Sequence, residues 1–285
     1  MIPAPFEYAL ARSTGHAIEL LGEFGEGARV LSGGHALLPM MKLRLVSPSA
    51  LVDVGRLDEL AGVSVSGEEL VIGANTTLAA LAASSVVRDE APLLAYAASR
   101  AGDAQVRRCA TLGGSLAHAD PAADLPMVVV ALGGSVDLVG PGGRRVVAAD
   151  DFFTGFLRTV VRPQELVAHI RLPRVRGAGW GYQKLTRRTN DWAIVGVAVC
   201  GGRVALANMG PTPLRARQVE QAIVQGAGIA EAAGLAAEGT HPVEDIHADA
   251  DYRRHLARVL TRRALAQRFG TDNKGGNTGD TDRVR

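Results

Sequence analysis

The sequence predicts an α+β protein of more than one subdomain, on three observations. In the first half, short apolar strand-like runs alternate with helical stretches. Between residues 166 and 209 strand-like segments follow one another, with Gly201-Gly202 as a tight hairpin, so an antiparallel meander is expected. Beyond Pro213, apolar residues recur at three- and four-residue spacing, the mark of helices with one buried face. At 285 residues and 47% hydrophobic content the chain exceeds a usual single core and has ample material for two.

Element by element, residues 28–31 read as a buried strand ending at Gly33-Gly34, with residues 37–45 following as a short apolar helix that contains Pro39. Residues 51–54, 63–65 and 70–74 are strand-like. Thr76 or Thr77 offers an N-cap for a helix over 78–84. A helix over 91–101 precedes residues 105–112, which lead into a second glycine pair, Gly113-Gly114. Asp120-Pro121 has the cap-and-proline form of a helix start and predicts a helix over 122–132. Residues 135–139 and 144–147 flank Gly140-Pro141-Gly142-Gly143 as a hairpin, and Asp150-Asp151 cap an expected helix over 152–157. Strands are expected at 166–172, 179–186, 193–200 and 203–209, then helices at 214–224, 229–237 and 252–269. The polar, aperiodic residues 271–285 read as a disordered tail.

Thirty-one basic residues nearly balance 29 acidic ones, and a net charge of +2 gives no support for a nucleic-acid partner. The two cysteines, Cys109 and Cys200, stand singly and cannot ligate zinc or an iron–sulfur cluster by themselves. No stretch approaches the roughly 18 apolar residues of a membrane span, and the start of the chain lacks a signal-peptide pattern, so a cytoplasmic protein is expected.

The chemistry rests on two glycine turns, Ser32-Gly33-Gly34-His35-Ala36 and Thr111-Leu112-Gly113-Gly114-Ser115. Without a Cβ, glycine lets backbone N–H groups approach an anion closely, and two such loops can converge on one diphosphate. Neither matches the dinucleotide or P-loop pattern, and taken alone each is more often a plain β-turn than a phosphate loop.

The surrounding residues carry more. Leu31-Ser32-Gly33-Gly34-His35-Ala36-Leu37-Leu38-Pro39 and Thr111-Leu112-Gly113-Gly114-Ser115-Leu116-Ala117-His118-Ala119-Asp120-Pro121-Ala122-Ala123-Asp124 resemble the FAD-binding medium subunits of molybdenum hydroxylases, the aerobic carbon monoxide dehydrogenase and xanthine dehydrogenase family. Ile72-Gly73-Ala74-Asn75-Thr76-Thr77, Tyr182-Gln183-Lys184, Asp191-Trp192-Ala193 and Gly210-Pro211-Thr212-Pro213 extend the likeness in order over about residues 1 to 270.

The resemblance implies a flavin fold similar to vanillyl-alcohol oxidase over residues 1–173, made of two subdomains with a break near 55–60, and a C-terminal domain over 174–270. It implies that Ser32, Gly33, Gly34, His35, Ala36, Thr111, Leu112, Gly113, Gly114 and Ser115 hold the FAD diphosphate, with the Ser32, Thr111 and Ser115 hydroxyls as donors. Asp124 matches a cofactor-contacting acid, or is a first-turn charge favoured by the helix dipole. Lys184 matches a lysine beside the flavin ring, or is a solvated strand lysine. Val167, Tyr182 and Trp192 match positions near the isoalloxazine, or are core; His35 and His118 read as loop-packing residues. Ser115 departs from the asparagine common in relatives.

The implied function is electron transfer within a heterotrimer, expected to pair as a dimer of heterotrimers. A small subunit with two [2Fe–2S] clusters and a large molybdopterin subunit are the expected partners, and FAD on this chain passes electrons to an external acceptor. A stand-alone FAD oxidoreductase of the same fold and a cofactor-free assembly protein are the competing readings.

Overall fold

The computed structural model of the chain describes residues 2–270, and the tail expected at 271–285 lies outside the described residues. The α+β expectation holds. The chain opens with β1 (Glu7–Leu10), α1 (Thr14–Phe24), β2 (Ala28–Leu31), α2 (Leu37–Lys42) and β3 (Ala50–Asp53). The three strands form a parallel sheet in the order β1-β3-β2, covered by α1 through Ala17 and Leu21. Sequence reasoning assigned no element to β1 and α1. Ser13 accepts a hydrogen bond from the His16 amide and so caps α1, a signal present in the sequence.

The next stretch holds β4 (Val63–Ser66), β5 (Glu69–Gly73), α3 (Leu78–Ala83), α4 (Ser85–Glu90), α5 (Pro92–Arg100), α6 (Ala104–Cys109), α7 (Leu112–His118) and α8 (Asp124–Ala131). It continues with β6 (Ser135–Gly140), β7 (Gly143–Ala148), α9 (Ala149–Phe152), β8 (Phe153–Gly155), β9 (Arg158–Thr159) and β10 (Leu166–Pro173). Thr77 caps α3 as expected, accepting from the Ala80 amide.

Three expectations need correction here. The helix foreseen over 122–132 starts at Asp124, because Asp120 accepts from the Ala122 amide in a turn before it. The helix foreseen over 152–157 is one turn ending at Phe152. Phe153–Gly155 then pair with Arg158–Thr159 around Leu157, whose positive φ reverses the chain. The strand at 166–172 does not join the meander. As β10 it is the central strand of a five-stranded antiparallel sheet, β4-β5-β10-β6-β7, and its alternating burial matches a strand with one covered face.

The meander proper is β11 (Trp180–Leu185), β12 (Val195–Cys200), β13 (Arg203–Ala207) and β14 (Leu214–Arg215), in sequence order. Leu214 and Arg215 thus belong to a strand, and the helix foreseen from 214 begins only at α10 (Arg217–Val224), followed by α11 (Ile229–Gly234) and α12 (Ala250–Phe269). Every residue of β12 is buried, since helices cover both faces of this sheet: α8 and α5 on one side, α10 to α12 on the other. All eight residues of α8 are buried too, as its near-uniform apolar sequence requires of a helix enclosed all round.

Charged side chains lock these layers. Asp150 at the start of α9 meets Arg215 at 2.9 Å and Arg217 at 3.6 Å, and Arg203 donates to the Val130 carbonyl at the end of α8. Close packing does the rest. A Cβ on Gly181 of β11 would lie 2.0 Å from the Ala264 carbonyl oxygen of α12. Gly181→Ala is expected to lower unfolding stability by about 1–3 kcal/mol. Gly142→Ala, at a hairpin position with open space, is expected to leave the urea midpoint unchanged.

Candidate cofactor site

The first glycine segment lies between β2 and α2, as expected of a strand–loop–helix. Gly34 has φ +74°, which explains a glycine there, while Gly33 and its neighbours are partly exposed and His35 is exposed. Among the described residues, the amides of Gly33, His35 and Ala36 donate to no group of the chain. This donor set fits an anion.

The second segment differs from expectation. Thr111–Ser115 is not a turn: Thr111 is the N-cap and Leu112 to Ser115 form the first turn of α7. The amides of Leu112 to Ser115 are all engaged. Leu112 donates to the Thr76 carbonyl, Gly113 to the Ala74 carbonyl, Gly114 to Thr111 Oγ1 and Ser115 to the Thr111 carbonyl. The Ser115 hydroxyl donates to the Thr111 carbonyl at 2.9 Å, so it too is satisfied internally.

The two segments meet. Ser32 Oγ lies 3.2 Å from Thr111 Oγ1, across 79 residues of sequence, and Ser32 also donates to Asn75 Oδ1 at 2.7 Å. The glycines make this approach possible. A Cβ on Gly33 would lie 2.0 Å from the Cys109 carbonyl oxygen, and one on Gly113 would lie 2.5 Å from the Ala74 Cβ. Both positions therefore need glycine for packing of backbone against backbone, before any ligand is considered. Asn75 belongs to the family-matching run of residues 72–77, and nothing local in the sequence distinguishes it from its neighbours. In the structure it is the third corner of the site, buried between the two segments.

Asp124 and Lys184 form a separate cluster. Lys184 Nζ is 2.9 Å from Asp124 Oδ2, with the two side chains only 9% and 5% exposed, and the buried Tyr182 hydroxyl donates to Asp124 Oδ1. Lys184 is thus neither a solvated strand lysine nor an isolated positive charge. Burial, reinforced by the Asp124 charge, holds the Tyr182 phenol far above its ordinary pKa, so it stays a donor. The cluster borders a polar cleft of about 350 Å³ lined by Tyr96, Arg100, Gln183 and Gln267 among others. Tyr96 stacks edge-on against Tyr182 at 5.6 Å between centroids.

Val167 sits beside a bulge in β10 and packs partly buried against the main core, next to Ala168, whose carbonyl accepts from the Ala74 amide. Trp192 lies outside any strand and is 58% exposed, which sets aside a core role. His118 is half-buried, 4.0 Å from Asp120, and burial pulls its pKa below the ordinary value.

Two outcomes follow for purified protein. Lys184→Met strands a buried carboxylate and is expected to cost about 3–5 kcal/mol in denaturant unfolding. Gly33→Ala is expected to lower the stability of the flavin-free chain by about 1–3 kcal/mol, as at Gly181. An unchanged midpoint in that apo-protein would show that the glycine serves ligand approach alone.

Known proteins match this chain over most of its length. Residues 4–175 match the FAD binding domain in molybdopterin dehydrogenase, and residues 180–268 match the CO dehydrogenase flavoprotein C-terminal domain. The carbon monoxide dehydrogenase medium chain of Hydrogenophaga pseudoflava is 42% identical over 279 residues, spanning 93% of this chain and 97% of its own. The glyceraldehyde dehydrogenase medium chain of Sulfolobus acidocaldarius is 34% identical over 280 residues, spanning 94% and 99%. The structure of the Hydrogenophaga pseudoflava carbon monoxide dehydrogenase, in a form lacking the Mo-pyranopterin moiety, superposes with a TM-score of 0.92 at 43% identity, covering 95% of this chain and 99% of that one. The chain therefore belongs to the FAD-binding family of the molybdopterin dehydrogenases, and is the medium, flavin-binding subunit of an oxidoreductase of the molybdenum hydroxylase type.

Proposed function

We propose that this chain relays electrons from [2Fe–2S] clusters on a small partner subunit, through its FAD, to an external acceptor, while a large partner carries the molybdopterin cofactor and hydroxylates the substrate. Bound FAD supplies redox chemistry that no side chain of the protein provides. The Gly33, His35 and Ala36 amides bind its diphosphate, and Thr111 to Ser115 form the wall against which that loop is held. The observation that carries the reading is the junction of Ser32 and Thr111, which brings both family-matching glycine segments to one place.

Asp124, Lys184 and Tyr182 act as a neutral polar unit on the flavin side of the site, holding a proton on the Tyr182 oxygen. The partner subunits follow from ligand chemistry. A [2Fe–2S] cluster takes four protein ligands, usually cysteines, and this chain has two cysteines, far apart in sequence. Heterotrimers pairing as dimers, in the cytoplasm, complete the proposal, with residues 1–173 as the flavin domain and 174–270 as the C-terminal domain.

Purification of the native complex tests this. FAD is expected in step with this chain, and iron and molybdenum in step with two co-purifying chains. Recovery of this chain alone, without iron or molybdenum, overturns the trimer. Gly113→Val is expected to abolish flavin retention, because its side chain forces α7 away from Ala74.

A further inference from the structure

Asn75 is buried at the meeting point of the two glycine segments, and its bonds fix which way each hydroxyl proton points. Its backbone amide donates to the Leu60 carbonyl at 2.7 Å and its Nδ2 donates to the Val54 carbonyl at 2.6 Å. The amide is thereby oriented with Oδ1 toward Ser32, whose only hydroxyl proton goes to it at 2.7 Å. The contact of 3.2 Å between Ser32 and Thr111 then has one proton order, with Thr111 donating and Ser32 accepting. Thr111 Oγ1 meanwhile accepts from the Gly114 amide at 3.1 Å, which leaves its own proton free to donate. A directed chain results, from Thr111 to Ser32 to Asn75.

We infer that Asn75 is a positioning residue for the cofactor diphosphate, acting through Ser32 and Thr111 by setting this proton order and so the spacing of the two glycine segments. The inference rests on the reading that these segments hold the FAD diphosphate. With both hydroxyl protons committed inward, the diphosphate is met by the Gly33, His35 and Ala36 amides, and the hydroxyl chain holds that loop at its fixed distance from α7. Reversal of the chain, with Ser32 donating to Thr111, strands the buried Asn75 oxygen without a donor, which disfavours the reversed order.

The test uses the full chain in its native complex, stripped of flavin and reloaded. Asn75→Ala, Ser32→Ala and the double variant are compared for FAD release and for affinity toward ADP, which carries the diphosphate, and riboflavin, which does not. Asn75→Ala is expected to speed FAD release and weaken ADP binding about tenfold, the worth of one well-made hydrogen bond, with riboflavin affinity unchanged. Ser32→Ala is expected to do the same, and the double variant to be no worse than either alone, because both cut one chain. Additive losses, or equal loss for riboflavin, overturn the positioning role in favour of a merely structural one. Should Asn75→Ala fail to fold, unchanged FAD release in Ser32→Ala overturns it equally. Normal ADP and FAD binding by wild type with these outcomes leaves the flavin reading standing, whereas wild-type protein that binds neither overturns both.

Discussion

The site depends on a close approach of three backbone segments: the loop after β2, the end of β5 with the residues that follow, and the start of α7. Side chains cannot occupy the contact points. Gly33 faces the Cys109 carbonyl and Gly113 faces Ala74 at distances that exclude even a methyl group. Once the segments touch, hydrogen bonds lock them. Leu78 donates to Ala110, Leu112 to Thr76, Gly113 to Ala74 and Ala74 to Ala168, so α3, α7 and β10 are tied to one stretch of chain. The sheet, the helices and the glycine loop therefore share a common anchor.

This arrangement changes what the glycine pairs mean. A glycine beside a cofactor is readily explained by the ligand, yet here both carry a packing duty that exists without one. The two segments are also unequal. The loop after β2 leaves amides available to an anion, whereas α7 spends its first-turn amides on Ala74, Thr76 and Thr111. One side offers donors and the other offers rigidity, and rigidity is what preorganises donors for a multiply charged ligand.

The buried pair of Asp124 and Lys184 plays a comparable double part. Asp124 opens α8, which is enclosed on all sides, and Lys184 comes from β11 of the four-stranded sheet. Their bond joins the helix core of the first half to the meander of the second. A lone buried carboxylate there would be costly, and the pair plus the Tyr182 hydroxyl satisfies it. Lys184 and Asp124 together carry no net charge, and the Tyr182 hydroxyl adds an oriented dipole to the pair.

Much of the fold was legible in the sequence because its signals are local. Thr77 before an apolar run, Gly140 to Gly143 between alternating strands, and the three-and-four spacing of α12 each announce their element within a few residues. Two readings failed for want of distant partners. Leu166–Pro173 looks like any strand, and only its pairing with β5 and β6 makes it the centre of a sheet. Thr111-Leu112-Gly113-Gly114 reads as a turn from its glycines, and becomes a helix because Ala74 and Thr76 supply acceptors for its amides. Resemblance in sequence named the two glycine segments and the family. The tertiary structure alone decided that Asn75 sits between those segments, that Asp124 and Lys184 neutralise each other, and which amides remain free, because proton order and charge pairing are properties of contacts across 40 to 80 residues of chain.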